Sequence, residues 1–250
     1  MIETAVLAVT LILMRVASFV AFARPWGDRV VPTTVKIGLA VALTGLWTST
    51  HLGPASIAAA LVVTSPSPWL LLGWLAGREV LIGIAFAWFV NLFFAALRTA
   101  GAYVAQEMGL TLGALTSPLD QQPSSVITQL FETIGTLLFL IVGGHHAVLR
   151  LLGLTLDLAP VGAPVELPRP GWVLSVLRSA EQTGLELAAP IGVGLFLVTV
   201  VMAVAMRLVP QFNLMSFGTP LRLLAGLGLL ALLMPDIVNR MLVELSIWTR

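Results

Sequence analysis

The stretch WLLLGWLAGREVLIGIAFAWFVNLFFAAL, residues 69–97, fixes what kind of chain this is. It follows the breaker run Ser65-Pro-Ser-Pro68 and stays apolar beyond the roughly 20 residues that one bilayer crossing needs. Its two charges, Arg78 and Glu79, are adjacent. An ionisable group facing lipid costs roughly 2.5 to 3.5 kcal/mol on insertion scales, so both should face protein or water. A position near a helix end, with the side chains reaching the interface, meets that requirement, and so does pairing with a neighbouring helix.

The rest of the chain is built alike. It is 58% hydrophobic and 10% charged, where an ordinary soluble domain carries roughly 25% charged residues. Five further apolar segments run from about Ala5 to Phe22, Val35 to Trp47, Val126 to Leu158, Leu185 to Leu208 and Phe212 to Arg250. The second fades into His51-Leu-Gly-Pro54, and the fourth is divided at Gly143-Gly144-His145-His146. The pattern predicts an all-α, multi-helix membrane protein of about six hydrophobic segments. Ala21-Phe22-Ala23 has the small residues of a signal cleavage site, but Glu3 and Arg15 do not fit a signal peptide, so cleavage is not expected. Arg24, Arg29 and Lys36 in the first connection, against no Lys or Arg between Thr48 and Ser67, predict a cytoplasmic first connection and an outside N-terminus.

Composition also excludes functions. A net charge of +1 provides no basic stripe for nucleic acid. No cysteine is present, which rules out disulfides and thiolate metal sites. No Gly-x-Ser-x-Gly elbow, His-Glu-x-x-His pair or P-loop occurs. His145 and His146 are adjacent and point about 100° apart on a helix, which suits a polar helix end better than a metal site. Asp28, Asp120, Asp157 and Asp236 lie in or beside connections, away from where an intramembrane protease needs them. No catalytic residue, metal or cofactor is expected. Ser124 and Ser125 after Pro123 read as a helix N-cap before Val126.

Five charges fall within hydrophobic segments: Arg15, Arg78, Glu79, Glu132 and Glu186. Together they suggest helices assembled among other helices, with these residues as polar contacts inside the assembly. Gly192, Gly194, Gly218, Gly226 and Gly228 allow close helix approach in the last third. Pro190, Pro210, Pro220 and Pro235 favour kinks or breaks in the same region. Between the apolar segments, QEMGLTLGALTSPLDQQPSS, residues 106–125, stands out as a half-polar, glycine-spaced loop without a clean helical period.

Three stretches, FAALRTAGAYVAQEMGLTLGALTSP (94–118), LLFLIVGGHHAVLRLL (137–152) and LVPQFNLMSFGTPLRLLAGLGLL (208–230), resemble in order and spacing the FliR/SctT family of type III secretion systems. RVVPTTVKIGLAVALT (29–44) fits as well, and the likeness covers nearly the whole chain. The resemblance implies a non-enzymatic export-gate subunit of the bacterial inner membrane and flagellar basal body. Such a chain joins FliP and FliQ subunits in a cone-shaped helical pore that FlhB contacts and unfolded flagellar proteins cross. It also implies a FliP-like part over residues 1–184 and a FliQ-like hairpin with kinked helices over 185–250. The 106–125 loop would then close the pore. Met108, Leu112 and Leu115 would constrict it beside Leu110, with Gly109 and Gly113 giving the backbone freedom to move aside. Flagellar members often carry phenylalanine where this chain has Leu112 and Leu115. The MGL and PQFN elements look flagellar, with an injectisome SctT-type subunit as the alternative. A self-sufficient secondary transporter is the alternative of another class, although the two halves show no convincing internal repeat.

Overall fold

The computed structural model describes residues 2–24, 31–110, 125–163, 169–208 and 214–249. Among the described residues the chain forms seven α-helices and no strand. They are α1 (Ile2–Phe22), α2 (Thr33–Thr64), α3 (Pro68–Glu107), α4 (Val126–Ile141), α5 (Gly144–Leu158), α6 (Pro170–Leu208) and α7 (Leu214–Thr249). The all-α expectation holds, for the reason that a helix satisfies its own backbone groups where no water can.

Helix lengths depart from the apolar runs. α3 has 40 residues, about 60 Å at 1.5 Å per residue and twice a hydrocarbon core. Its last turns use Ala, Arg, Gln and Glu, which hold a helix without being apolar. α2 does not fade at Gly53-Pro54 but runs to Thr64. α6 and α7 likewise continue through Pro190, Pro220 and Pro235. Proline removes one amide donor, but a full break would free several backbone groups, so continuing the helix costs less in apolar surroundings. Pro210 lies outside the described residues.

Among the described residues four helices are long and apolar enough to cross a membrane, and five if the pair Val126–Ile141 and Gly144–Leu158 is read as one broken span. Within α2 hydroxyls turn back onto helix carbonyls, as Thr44 Oγ1 does to Ala40 O at 2.7 Å. The break between α4 and α5 falls at the expected place. Gly143 adopts φ +81°, a left-handed conformation that costs glycine nothing, and the two histidine rings that follow lie with centroids 4.0 Å apart, tilted by 40°. Ser125 is the N-cap of α4, its Oγ accepting from Thr128 N at 3.2 Å, while Ser124 lies outside the described residues.

The chain divides into two compact units, Met1–Leu92 with His145–Arg169, and Phe93–Gly144 with Pro170–Arg250. In the first, α1 packs along α2, and Phe19 meets Phe86 of α3 with ring centroids 5.2 Å apart. α1 also crosses α3 at Gly83, where an added Cβ would overlap the Ser18 hydroxyl and the Arg15 carbonyl. Because the obstacle is backbone, Gly83→Ala should destabilise the chain by about 1 to 3 kcal/mol, read as a lower thermal midpoint in detergent. An unchanged midpoint contradicts the close crossing.

In the second unit, α6 packs along α7 and α4 touches α7. Glycines lie where α3 meets α4 and α6, and where α6 meets α7. An added Cβ would lie 2.7 Å from Thr128 Cα at Gly101, 2.7 Å from Ala96 O at Gly184 and 2.6 Å from Leu229 Cδ1 at Gly194. Gly228, by contrast, has nothing within 4 Å of such an atom.

Candidate functional site

Each unit carries polar and irregular features. The first contains a buried charge cluster. Arg15 on α1 and Glu79 on α3 are both fully buried. Arg15 Nε donates to Glu79 Oε2 at 2.7 Å, with an η nitrogen 2.5 Å from the same oxygen. The guanidinium also donates to Thr155 O at 2.7 Å and to Ala159 O at 2.8 Å. Those carbonyls lie at the C-terminal end of α5, where the helix dipole is negative; Thr155 O also accepts from Ala159 N at 3.0 Å. Arg78 adds a second cation, 3.6 Å from Glu79 Oε1 and 3.5 Å from Pro160 O.

The cluster therefore ties α1, α3 and α5 together through one carboxylate and the end of a helix. The Arg15 guanidinium is bonded on the protein itself, which makes it a clamp, whereas Arg78 Nε and Glu79 Oε1 are buried without a hydrogen bond. Asn91 performs a related task that the sequence reading missed. Its Oδ1 accepts from Arg24 N at 2.7 Å and its Nδ2 donates to Phe22 O at 2.9 Å, closing the end of α1. His51 Nε2 also lies 3.0 Å from Asp157 Oδ1 on an exposed face, a pair 106 residues apart in sequence.

The second unit contains the end of α3. Met108 is fully buried, and Gly109 is left-handed at φ +80°. Leu110 is the last described residue before the loop, and Leu112, Gly113 and Leu115 lie outside the described residues. An open groove of about 460 Å³ runs beside this helix end, lined by Tyr103, Glu107, Leu185, Gly192, Val193 and Phe196 among others. Glu132 faces Arg98, with Oε1 3.4 Å from Nε. Glu186 is exposed and accepts from Gln182 Nε2 at 2.8 Å, one helical turn away. Arg222 donates two bonds to Thr199 Oγ1, at 3.1 and 2.7 Å, joining α7 to α6. Of the five charges singled out by position, Arg15, Glu79 and Arg78 thus converge, while Glu132 and Glu186 find separate partners.

Among the described residues no group of three His, Cys, Asp or Glu side chains is placed to hold a metal ion. The arrangement holds helices together and shapes a helix end. Comparison with known proteins gives it a context. The family described as bacterial export proteins, family 1, matches residues 6–246. The flagellar biosynthetic protein FliR of Escherichia coli (strain K12) is 30% identical over 227 residues, covering 89% of this chain and 82% of that protein. FliR of Aquifex aeolicus (strain VF5) is 28% identical, covering 93% and 88%. The surface presentation of antigens protein SpaR of Shigella flexneri is 23% identical over 150 residues, covering 60% and 58%.

Proposed function

Because this chain belongs to the bacterial export proteins, family 1, we propose that it is a non-enzymatic subunit of the flagellar export gate that helps to form and close the pore for unfolded flagellar proteins. The similarity to FliR and SpaR proteins supports a type III export-apparatus subunit of the inner membrane, in the flagellar basal body. The flagellar reading is favoured because the FliR similarity extends over 89% of the chain and the SpaR similarity over 60%.

The finer reading rests on surfaces. α6 leaves Val193, Phe196, Leu197, Val200, Val201 and Val204 exposed, a run of apolar side chains at helical spacing. A face of that kind needs lipid or other apolar helices to cover it. In this reading FliP and FliQ subunits supply that cover and FlhB sits at the cytoplasmic side, with residues 1–184 FliP-like and 185–250 a FliQ-like hairpin. Met108, Gly109, Leu110, Leu112, Gly113 and Leu115 form the plug. A hydrophobic constriction stops ions by dewetting, and methionine and leucine side chains can repack around varied polypeptides.

Deleting the gene in its own host tests the function. Secretion of hook and filament proteins should stop and return on complementation. A deletion strain that still secretes them overturns the reading.

A further inference from the structure

Glu107 is the last residue of α3, a helix with no basic residue in its last turn. A carboxylate there meets the negative end of the helix dipole, a place that favours a cation. Among the described residues none gives it a hydrogen bond or an ion pair. Residues 108–124, which follow it, contain no Lys or Arg. Arg98, further back on α3, has its Nε 3.4 Å from Glu132 Oε1.

The carboxylate lines the 460 Å³ groove between α3 and α6. Gly184 meets Ala96 and Thr99, and Gly192 meets Tyr103, so the two helices run in the same direction and Glu107 stands toward the Phe196 end. The Tyr103 ring lies against Gly192, where an added Cβ would be 3.1 Å from Cε1, so no side chain from α6 fills that part of the groove. Leu185, Ala189, Val193 and Phe196 form the α6 wall, at spacings that put them on one face. None of the described residues lining the groove is a cation.

The same face of α6 stays apolar and exposed through Val200 and Val204. From Leu185 to Val204 it measures about 28 Å along the helix. A ridge of that length, opening at one end into a groove between two helices, has the shape that a third helix packs against. Lipid tails would cover the apolar ridge and leave the carboxylate without a counter-charge.

We propose that the α3–α6 groove seats an apolar helix of a neighbouring subunit, and that an Arg or Lys on that helix pairs with Glu107. The proposal rests on the export-gate reading and adds to it the chemistry of the partner and the place of contact. The apolar wall supplies area, and the charge pair fixes the register of the docked helix.

The test uses the chain co-expressed with the FliP and FliQ proteins of its own genome. A photoreactive p-benzoylphenylalanine in place of Phe196, an exposed position, should cross-link to an apolar helix of another subunit. Peptide mapping should find an Arg or Lys within about two turns of the attachment point. Glu107→Arg should lower the yield of that cross-link at least about tenfold, because like charges then face each other. Arginine suits a helix C-terminus better than glutamate, so the separate Glu107→Arg chain should unfold no earlier than the native one in detergent. Changing the mapped cation to Glu should restore the cross-link in Glu107→Arg and weaken it in the native chain. In an assembled complex, a cross-link to lipid, to this chain or a second copy of it, or to a helix without such a cation overturns the proposal. So does a Glu107→Arg complex that cross-links at the native yield, or one that the reversed charge does not restore. If the native chain forms no complex at all, the export-gate reading fails and takes the docked helix with it.

Discussion

Replacing Arg15 with methionine is expected to destabilise the chain by about 3 kcal/mol, because the buried Glu79 carboxylate then loses its hydrogen-bonded partner and keeps only Arg78, 3.6 Å away, as a counter-charge. The fully buried pair also carries two carbonyl contacts, to Thr155 and Ala159, and the Ala159 carbonyl loses its guanidinium donor. The sign is clear although the pair itself is not a large source of stability. Burying two charges costs nearly as much as their attraction returns, and the penalty appears when one partner is removed. The double substitution Arg15→Met/Glu79→Leu should therefore recover much of the loss. The recovery is incomplete, since Arg78 remains 3.6 Å from where the carboxylate was and the α5 terminus has lost a cation. Thermal unfolding in detergent of the two single variants and the double gives the coupling energy directly. Additive losses contradict the clamp.

Removing residues 110–115 is expected to turn an ion-tight resting complex into a leaky one. The deletion leaves α3 up to Met108 and the Ser125 cap of α4 in place, so assembly should survive. What it removes is Leu110, Leu112 and Leu115, the apolar surface assigned to the constriction, together with Gly113. A hydrophobic constriction holds back ions because wetting it is unfavourable, and a channel without it conducts. The same deletion in a complex shown to be assembled, with a leak equal to that of the full chain, assigns the seal to other residues. Phenylalanine at positions 112 and 115 should leave the seal at least as tight as leucine does.

The sequence told where charges sit and not what they touch. Arg15, Arg78 and Glu79 were recognisable because an apolar run makes any charge conspicuous. Their meeting was not, since Arg15 and Glu79 are 64 residues apart and two partners of Arg15 are backbone carbonyls at a helix end. Glu186 looked equivalent to Glu132 by position, yet it lies on an exposed face with Gln182, whereas Glu132 lies beside Arg98. Hydropathy also misjudged extents. α2 continues past Gly53-Pro54 and α3 past Leu97 because helix formation needs neither strong hydrophobicity nor the absence of one proline once a break would strand more backbone groups.

Small features were read unevenly. Ser125 as a cap and Gly143 as a break follow from residue type and neighbours alone, and both occupy those roles. The part played by Gly109 was only half visible. A glycine in a loop suggests freedom, but the turn it makes here closes the end of α3 with two hydrogen bonds. Asn91, in the middle of the apolar run, was overlooked because its partners, the Phe22 carbonyl and Arg24 amide, lie at the end of a different helix. Met108 lies across Gly226, where an added Cβ would be 2.6 Å from its Cγ, and a contact between positions more than 100 residues apart has no local signature.

In the proposed function this chain works as one member of a multi-subunit export gate. Native mass spectrometry of the chain co-expressed with the FliP and FliQ proteins of its own genome, extracted in mild detergent, should show a complex that contains this chain with several copies of each partner. A stable monomer or homodimer that takes up neither partner contradicts it, and would favour a self-sufficient transporter instead.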